Sequence, residues 1–384
     1  MKTIGFLLSG FMLMMLMGTV YSWSVFRVEV ELVYGTNTLQ SGLPYMTSLF
    51  FYALSMMVTG RQMTSKNTQS IVLIGVLLIV LGWFLAAQSN SLLQLTIGYG
   101  AFIGIGVGMA YGVPVYIVNQ RYEKSGLYTG IMLSGFGASP LVTAPLVHYW
   151  VQNYGLSQTF LWMSGLSLII LMPLVLVFHS KHSTDQTKQA IEKPYSSKTF
   201  ALLYILFLVA TTIGLMMIGL SYRIGVVNYG FNVNHVAVSL SLFAVLNGIS
   251  RPLFGWIIDK KGFIYSSTLS SVLILLAVIV AFLNQGNMLF LFAISMGLFW
   301  FNLGAWLAML PASIKLYFGT HLYAKRYGLM FTAYGFGAII GTVLSGLVLD
   351  VFVNTYYLYI LVFGIVLFIL YVITQLKKSA SAMQ

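Results

Sequence analysis

Apolar runs of about the length needed to cross a bilayer recur along the whole chain and leave little room for any other plan. A helix rising about 1.5 Å per residue needs ~20 apolar residues to span the hydrocarbon core. Twelve segments meet that requirement: 4–26, 41–60, 69–87, 93–118, 127–151, 157–178, 199–222, 235–258, 264–283, 288–310, 327–350 and 356–374. Composition agrees, with 59% of the 384 residues hydrophobic and only 7% charged. A soluble chain carries about a quarter charged residues. The expected fold class is therefore all-α and polytopic, because helices satisfy their own backbone groups inside lipid. Met1-Lys2 and the apolar run behind it mimic a signal peptide, but no small-residue cleavage site follows, so the run is expected to be the first membrane helix.

A polar interruption, His179 to Lys198, divides the segments six and six. The expected domains are an N-terminal six-helix bundle (1–178), a cytoplasmic linker (179–198) and a C-terminal six-helix bundle with a short cytoplasmic tail (199–384). The formal charge of +12 invites a nucleic-acid reading, yet the positive residues fall in short loops between apolar runs. Sixteen of the nineteen Lys and Arg lie on one side of the twelve segments, the others being Arg27, Arg223 and Arg251. By the positive-inside rule both termini and the linker are cytoplasmic, and the partner is the lipid bilayer of the cell membrane, not nucleic acid.

The halves also echo each other. Ser134-Gly135-Phe136-Gly137-Ala138 matches Tyr334-Gly335-Phe336-Gly337-Ala338, and Ser48-Leu49-Phe50 matches Ser241-Leu242-Phe243. Such repeats mark a duplicated transporter layout with substrate held midway between the halves. Glycines crowd the fourth, fifth and eleventh spans, where they allow close helix approach. The sharper alternative is that these surfaces slide past each other during transport.

Arg251 lies well inside the eighth span, about two turns before its polar exit at Asp259. A guanidinium keeps its proton, and at such a depth it costs about 3 kcal/mol or more unless an anion, a dipole or water meets it. The seven acids (Glu29, Glu31, Glu123, Asp185, Glu192, Asp259 and Asp350) all fall at expected helix ends or in loops. Asp259 is eight residues on, about 12 Å along a helix and out of reach. Arg251 is thus expected to bind an anionic substrate; pairing with an acid merely to hold helices together is the alternative. Arg27, Glu29 and Glu31 are expected to form a solvated, salt-bridged rim. His148, His235 and His321 sit at span ends without metal-ligand spacing, so no metal or cofactor is assigned. Cysteine is absent, and no nucleophile–base constellation stands out, so an enzyme is not expected.

Gly255-Trp256-Ile257-Ile258-Asp259-Lys260-Lys261-Gly262 reads G-x-x-x-D-(R/K)-x-G and resembles the signature loop of the major facilitator superfamily. Gly255 would allow close helix contact, while Asp259, beside Lys260, would accept bonds from a neighbouring helix end or a basic side chain and latch the cytoplasmic gate. The corresponding first-half loop has Thr64 in place of the acid and Asn67 in place of Gly262. Finer features, Tyr21-Ser22-Trp23-Ser24-Val25-Phe26, Asn247-Gly248-Ile249-Ser250-Arg251-Pro252 and Tyr327 to Gly335, resemble the oxalate/formate antiporter family over most of the chain. The resemblance implies that Arg251 binds a carboxylate within an aromatic box, whose first-half positions Tyr21 and Tyr111 match; Trp23 and Tyr334 are further candidates. Oxalate-carrying members place a lysine where this chain has Tyr334. One arginine and one phenol suit a monoanion, so formate, lactate or pyruvate is favoured over oxalate. Asn302, in the aromatic cluster of the tenth span, is a further candidate for the pathway wall.

The expected activity is secondary transport of a small carboxylate by alternating access, with a monomer as the working unit. Rivals are a proton-coupled efflux carrier on the same fold and a transport-inactive sensor on a transporter scaffold. No acid is placed to relay protons inside the membrane, so an acid relay is disfavoured; exchange of one carboxylate for another fits, as does entry of a carboxylate accompanied by a proton held elsewhere.

Overall fold

The computed structural model describes residues 3–64, 66–122, 125–178, 196–284, 288–319, 322–352 and 354–381, and it contains helices and no strand among them. Most of the expected linker, and His321, lie outside the described residues. Among the described residues, nine helices are long and apolar enough to cross a membrane. Two of them are each a pair of rods. In the first, Gly155 has φ 78 and ψ 175; in the second, Gly262 has φ 78 and ψ 176. A Cβ would strain the backbone at both places. Leu43–Gln62, a 20-residue helix, completes a set of twelve.

In chain order these are α1 (Ile4–Tyr34), α2 (Leu43–Gln62), α3 (Thr68–Ala87), α4 (Leu92–Arg121), α5 (125–154) and α6 (156–178). The second half comprises α7 (Ser197–Asn228), α8 (233–261), α9 (263–284), α10 (Leu289–Phe318), α11 (Tyr323–Phe352) and α12 (Thr355–Ser381). Direction follows from side-chain bonds. Ser157 and Ser164 of α6 donate to the carbonyls of Ala87 and Val80, and Thr68 donates to that of Phe178, so α6 runs antiparallel to α3. Tracing such contacts through both bundles brings the described members of the sixteen basic residues to one end, called the basic end below.

Two seams join the six-helix bundles. Along one, α5 runs antiparallel to α8: a Cβ on Gly126 would meet the carbonyl oxygen of Gly255 at 2.6 Å, and one on Gly130 that of Arg251 at 2.5 Å. Along the other, α2 and α11 repeat the arrangement: Gly60 faces the Ala324 carbonyl oxygen at 2.5 Å, and Gly328 that of Met56 at 2.8 Å. Lipid offers no hydrophobic drive between helices, so backbone-to-backbone approach at small residues is what holds such seams.

This geometry corrects the register of the internal repeat. Gly126, Gly130 and Gly137 correspond in space to Ala324, Gly328 and Gly335, which pairs Phe136 with Tyr334 and not with Phe336. Phe136 is 1% exposed in the interior, whereas Phe336 is 45% exposed and packs on Phe50. Likewise Gly255, Arg251 and Asn247 of α8 correspond to Gly60, Met56 and Tyr52 of α2. The Ser-Leu-Phe match is therefore two residues out, while the alignment of Asp259 with Thr64 and of Gly262 with Asn67 keeps the structural register. Short glycine-rich matches recur by chance; helix seams do not.

Candidate functional site

Arg251 is fully buried on the α5–α8 seam, midway between the bundles. Its Nη2 donates to Asn247 Oδ1 at 3.1 Å, one turn earlier on α8, and its guanidinium lies 5.6 Å from the Phe136 ring centroid. Nε and Nη1 have no partner. Asn247 is itself fixed, donating through Nδ2 to the Trp300 carbonyl at 2.5 Å. Space for the arginine comes from α5: a Cβ on Gly137 would stand 2.2 Å from Asn247 Oδ1 and 2.9 Å from Arg251 Nε. Among the described residues no carboxylate pairs with Arg251. An unpaired buried charge is expensive.

Aromatic rings close around it. Phe136 is their hub, 5.1 Å from Tyr21, 5.5 Å from Tyr111 and 6.1 Å from Tyr52. Phe331 closes the α11 side, 4.9 Å from Tyr334, 5.0 Å from Tyr52 and 5.7 Å from Tyr111. Tyr21, in a 3-10 turn (Gly18–Ser22) within α1, shares a 2.9 Å hydrogen bond with the Tyr334 hydroxyl across the two bundles. Tyr111 and Tyr327 are buried and their hydroxyls have no partner.

Four of the candidate binding residues, Arg251, Tyr21, Tyr111 and Tyr334, thus meet at one place. Trp23 goes elsewhere: its indole N–H donates to the Ser41 carbonyl, and its ring packs 4.4 Å from Tyr99 inside the N-terminal bundle. Asn302 does not line a pathway; it accepts from Ser270 Oγ at 2.7 Å and donates to Leu298, joining α9 to α10. Tyr52, Phe136, Tyr327 and Phe331 were not singled out from the sequence. With 24 Tyr and 27 Phe in the chain, no spacing rule separates a pathway ring from a packing ring. Only Phe136, flanked by two glycines that each meet a neighbouring helix, carried a local signal.

Both ends of the pathway are shut. At the basic end, Asp259 Oδ2 accepts from the Leu127 backbone N–H at 3.2 Å, where a carboxylate meets the positive end of the α5 dipole. Lys315 Nζ donates to the Tyr122 carbonyl at 2.7 Å, tying α10 to the end of α4. Lys260 folds back on Trp256, 4.4 Å from its ring centroid. The first-half loop is held by its own amide: Asn67 Oδ1 accepts from Thr64 N, and Asn67 Nδ2 donates to the Gln62 carbonyl, both at 2.8 Å. At the opposite end, the expected solvated rim is instead a buried tie. Arg27 is 1% exposed and donates to Ser41 Oγ, to the Thr38 carbonyl and, at 3.0 Å, to the Gly219 carbonyl of α7. Glu31 lies 3.8 Å from Arg27 and 3.3 Å from Arg223 of α7. The carbonyls within reach of Arg27 offset its desolvation, which a loop-level reading of charge could not anticipate.

A helical membrane protein with two seamed six-helix halves and, buried between them, an arginine with two unpartnered N–H groups is the layout of a carrier, and the family model for the Major Facilitator Superfamily matches residues 3–312. The chain belongs to the major facilitator superfamily. It is a membrane transporter and not an enzyme. An uncharacterized MFS-type transporter of Escherichia coli (strain K12), YhjX, is 24% identical over 337 residues, covering 84% of this chain and 82% of that protein. The oxalate:formate antiporter of Oxalobacter formigenes is 24% identical over 341 residues, covering 85% of this chain and 80% of its own. Monocarboxylate transporter 13 of Rattus norvegicus is 28% identical over 211 residues, covering 51% of this chain and 47% of that one.

Proposed function

We propose that this facilitator carries a small carboxylate across the cell membrane by alternating access, exchanging one anion for another as a monomer, with both termini cytoplasmic. The observation that carries the reading is Arg251: fully buried on the seam, with two N–H groups unpartnered and no carboxylate beside it among the described residues. A guanidinium in dry surroundings binds carboxylate strongly, through charge-assisted hydrogen bonds worth about 1.5–3 kcal/mol each. A single cation suits a monocarboxylate such as formate, lactate or pyruvate better than a dianion. The names of the oxalate:formate and monocarboxylate relatives point to the same chemical class. Residues 1–178 and 199–384 act as the two rocking units, and the basic end faces the cytoplasm. An unoccupied guanidinium would be costly to carry across, so the empty carrier reorients slowly and exchange outruns net flux.

Uptake of radiolabelled formate, lactate, pyruvate and oxalate into proteoliposomes tests this. Saturable monocarboxylate uptake in the wild type should fall at least about tenfold in Arg251→Gln, the loss of about 1.4 kcal/mol of binding. A folded Arg251→Gln carrier that transports normally would make the arginine structural.

A further inference from the structure

Four buried donors near Arg251 lack acceptors, and the Tyr334 hydroxyl, which stands where oxalate-carrying members have a lysine, is not among them. Arg251 Nε and Nη1, the Tyr111 hydroxyl and the Tyr327 hydroxyl are all without partners. They are near neighbours: the Phe136 ring lies 5.6 Å from the Arg251 guanidinium and 5.5 Å from the Tyr111 ring. Phe331 packs against both phenol rings, 5.7 Å from Tyr111 and 5.8 Å from Tyr327. Each unsatisfied buried donor is costly, and folded proteins keep few of them. Four in one place call for a ligand that only accepts. A carboxylate offers two oxygens with about four lone-pair sites and no donor. The hydroxyls of Tyr21 and Tyr334, by contrast, are already bonded to each other, bridging α1 and α11.

We propose that Tyr327 and Tyr111 hold the substrate carboxylate together with Arg251, and that the Tyr21–Tyr334 pair is a bar closing the bundles on the side away from the basic end. This rests on the carboxylate-carrier reading. A crevice of about 10 Å³, lined by Met56, Gly60, Gly112, Tyr323 and Tyr327, opens next to Tyr327 toward the basic end and has room for about one water. It marks the route by which that side reaches the site. Tyr327 is therefore the first donor an anion meets on that route.

The test measures thermal stability of the purified full-length carrier against added formate and lactate, since a ligand bound only by the folded state raises the melting temperature. Tyr327→Phe removes one oxygen and leaves the ring. It should melt at or above the wild-type temperature without ligand, because an unsatisfied hydroxyl is gone, yet need at least about tenfold more carboxylate for the same rise. Tyr111→Phe should behave alike. Tyr334→Phe should keep the wild-type concentration dependence within about twofold while changing the exchange rate in proteoliposomes. A Tyr327→Phe carrier that responds to carboxylate like the wild type overturns the inference. So does one that melts lower without ligand and binds normally, which would make Tyr327 a packing residue. If the wild type responds and Arg251→Gln does not, such a failure touches Tyr327 alone. If wild type and Arg251→Gln respond alike, the carboxylate-carrier reading falls, and this inference with it.

Discussion

Gly137 lacks a side chain where Asn247 and Arg251 need the room. Its missing Cβ would lie 2.2 Å from one and 2.9 Å from the other, and neither neighbour can retreat freely, since Asn247 is pinned to the Trp300 carbonyl. Gly137→Ala should therefore displace the guanidinium and cut carboxylate uptake at least about tenfold, with overpacking costing about 1–3 kcal/mol of stability. Uptake compared with a melting curve separates the two effects: uptake lost without a matching fall in stability places the damage at the site. Gly135 makes a useful contrast. Its neighbour is the Phe11 carbonyl of α1, within the same bundle, so of the two glycines flanking Phe136 only one touches the binding machinery.

Helix ends act as latches. Asp259 rests on the N-terminus of α5, where the backbone N–H of Leu127 reaches its carboxylate and the dipole adds about 0.3–1 kcal/mol. The equivalent first-half loop closes on itself through Asn67, so the two seams are latched unequally at the basic end. Asp259→Asn keeps an acceptor but removes the charge, and it should bias the carrier toward opening at that end. The chain has no cysteine, so one placed at Met63, beside the crevice, reports alone. Its labelling rate should rise about fivefold for each ~1 kcal/mol of bias; an unchanged rate would remove Asp259 from the gate.

At the scale of the whole carrier, the two ends are closed by different physics. The basic end uses a carboxylate on a helix dipole and lysine-to-carbonyl bonds. The opposite end uses ion pairs and arginine-to-carbonyl bonds, Arg27 to Gly219 and Glu31 to Arg223, with Asp350 accepting from Leu39 N at 3.3 Å on the other seam. Glu31→Gln should weaken the tie between α1 and α7 and favour opening away from the basic end. A single cysteine at Leu215, whose carbonyl accepts from the Tyr45 hydroxyl, should then label faster from that side and Met63→Cys more slowly from the other. Coupled, opposite changes are what alternating access requires, since one population rises only as the other falls. Independent changes at the two ends would argue against rigid rocking.

Much of this was legible in the chain itself. Apolar length set the number of helices, because lipid tolerates little else; the spacing of lysine and arginine between the runs foretold that they gather at one end; and Arg251 stood out because a charge inside an apolar run has no cheap explanation. The signature loop could be aligned between the halves because Gly255, Asp259 and Gly262 are tied to one turn geometry. What surrounds the arginine was legible only in part: Tyr21, Tyr111 and Tyr334 were named, but not which hydroxyls are left without a partner. Tyr327 and Tyr334 lie on the same helix seven residues apart, and the sequence pointed to Tyr334, which stands where oxalate-carrying members have a lysine. The structure separates them, since the Tyr334 hydroxyl is spent on Tyr21 from the other bundle while that of Tyr327 is left without an acceptor. The same holds for Arg27, a rim charge by position and a buried tie by contact. Burial of apolar surface is encoded locally and repeats along the chain, so sequence reveals it. Which polar atom finds a partner depends on residues hundreds of positions away, and only tertiary packing decides it.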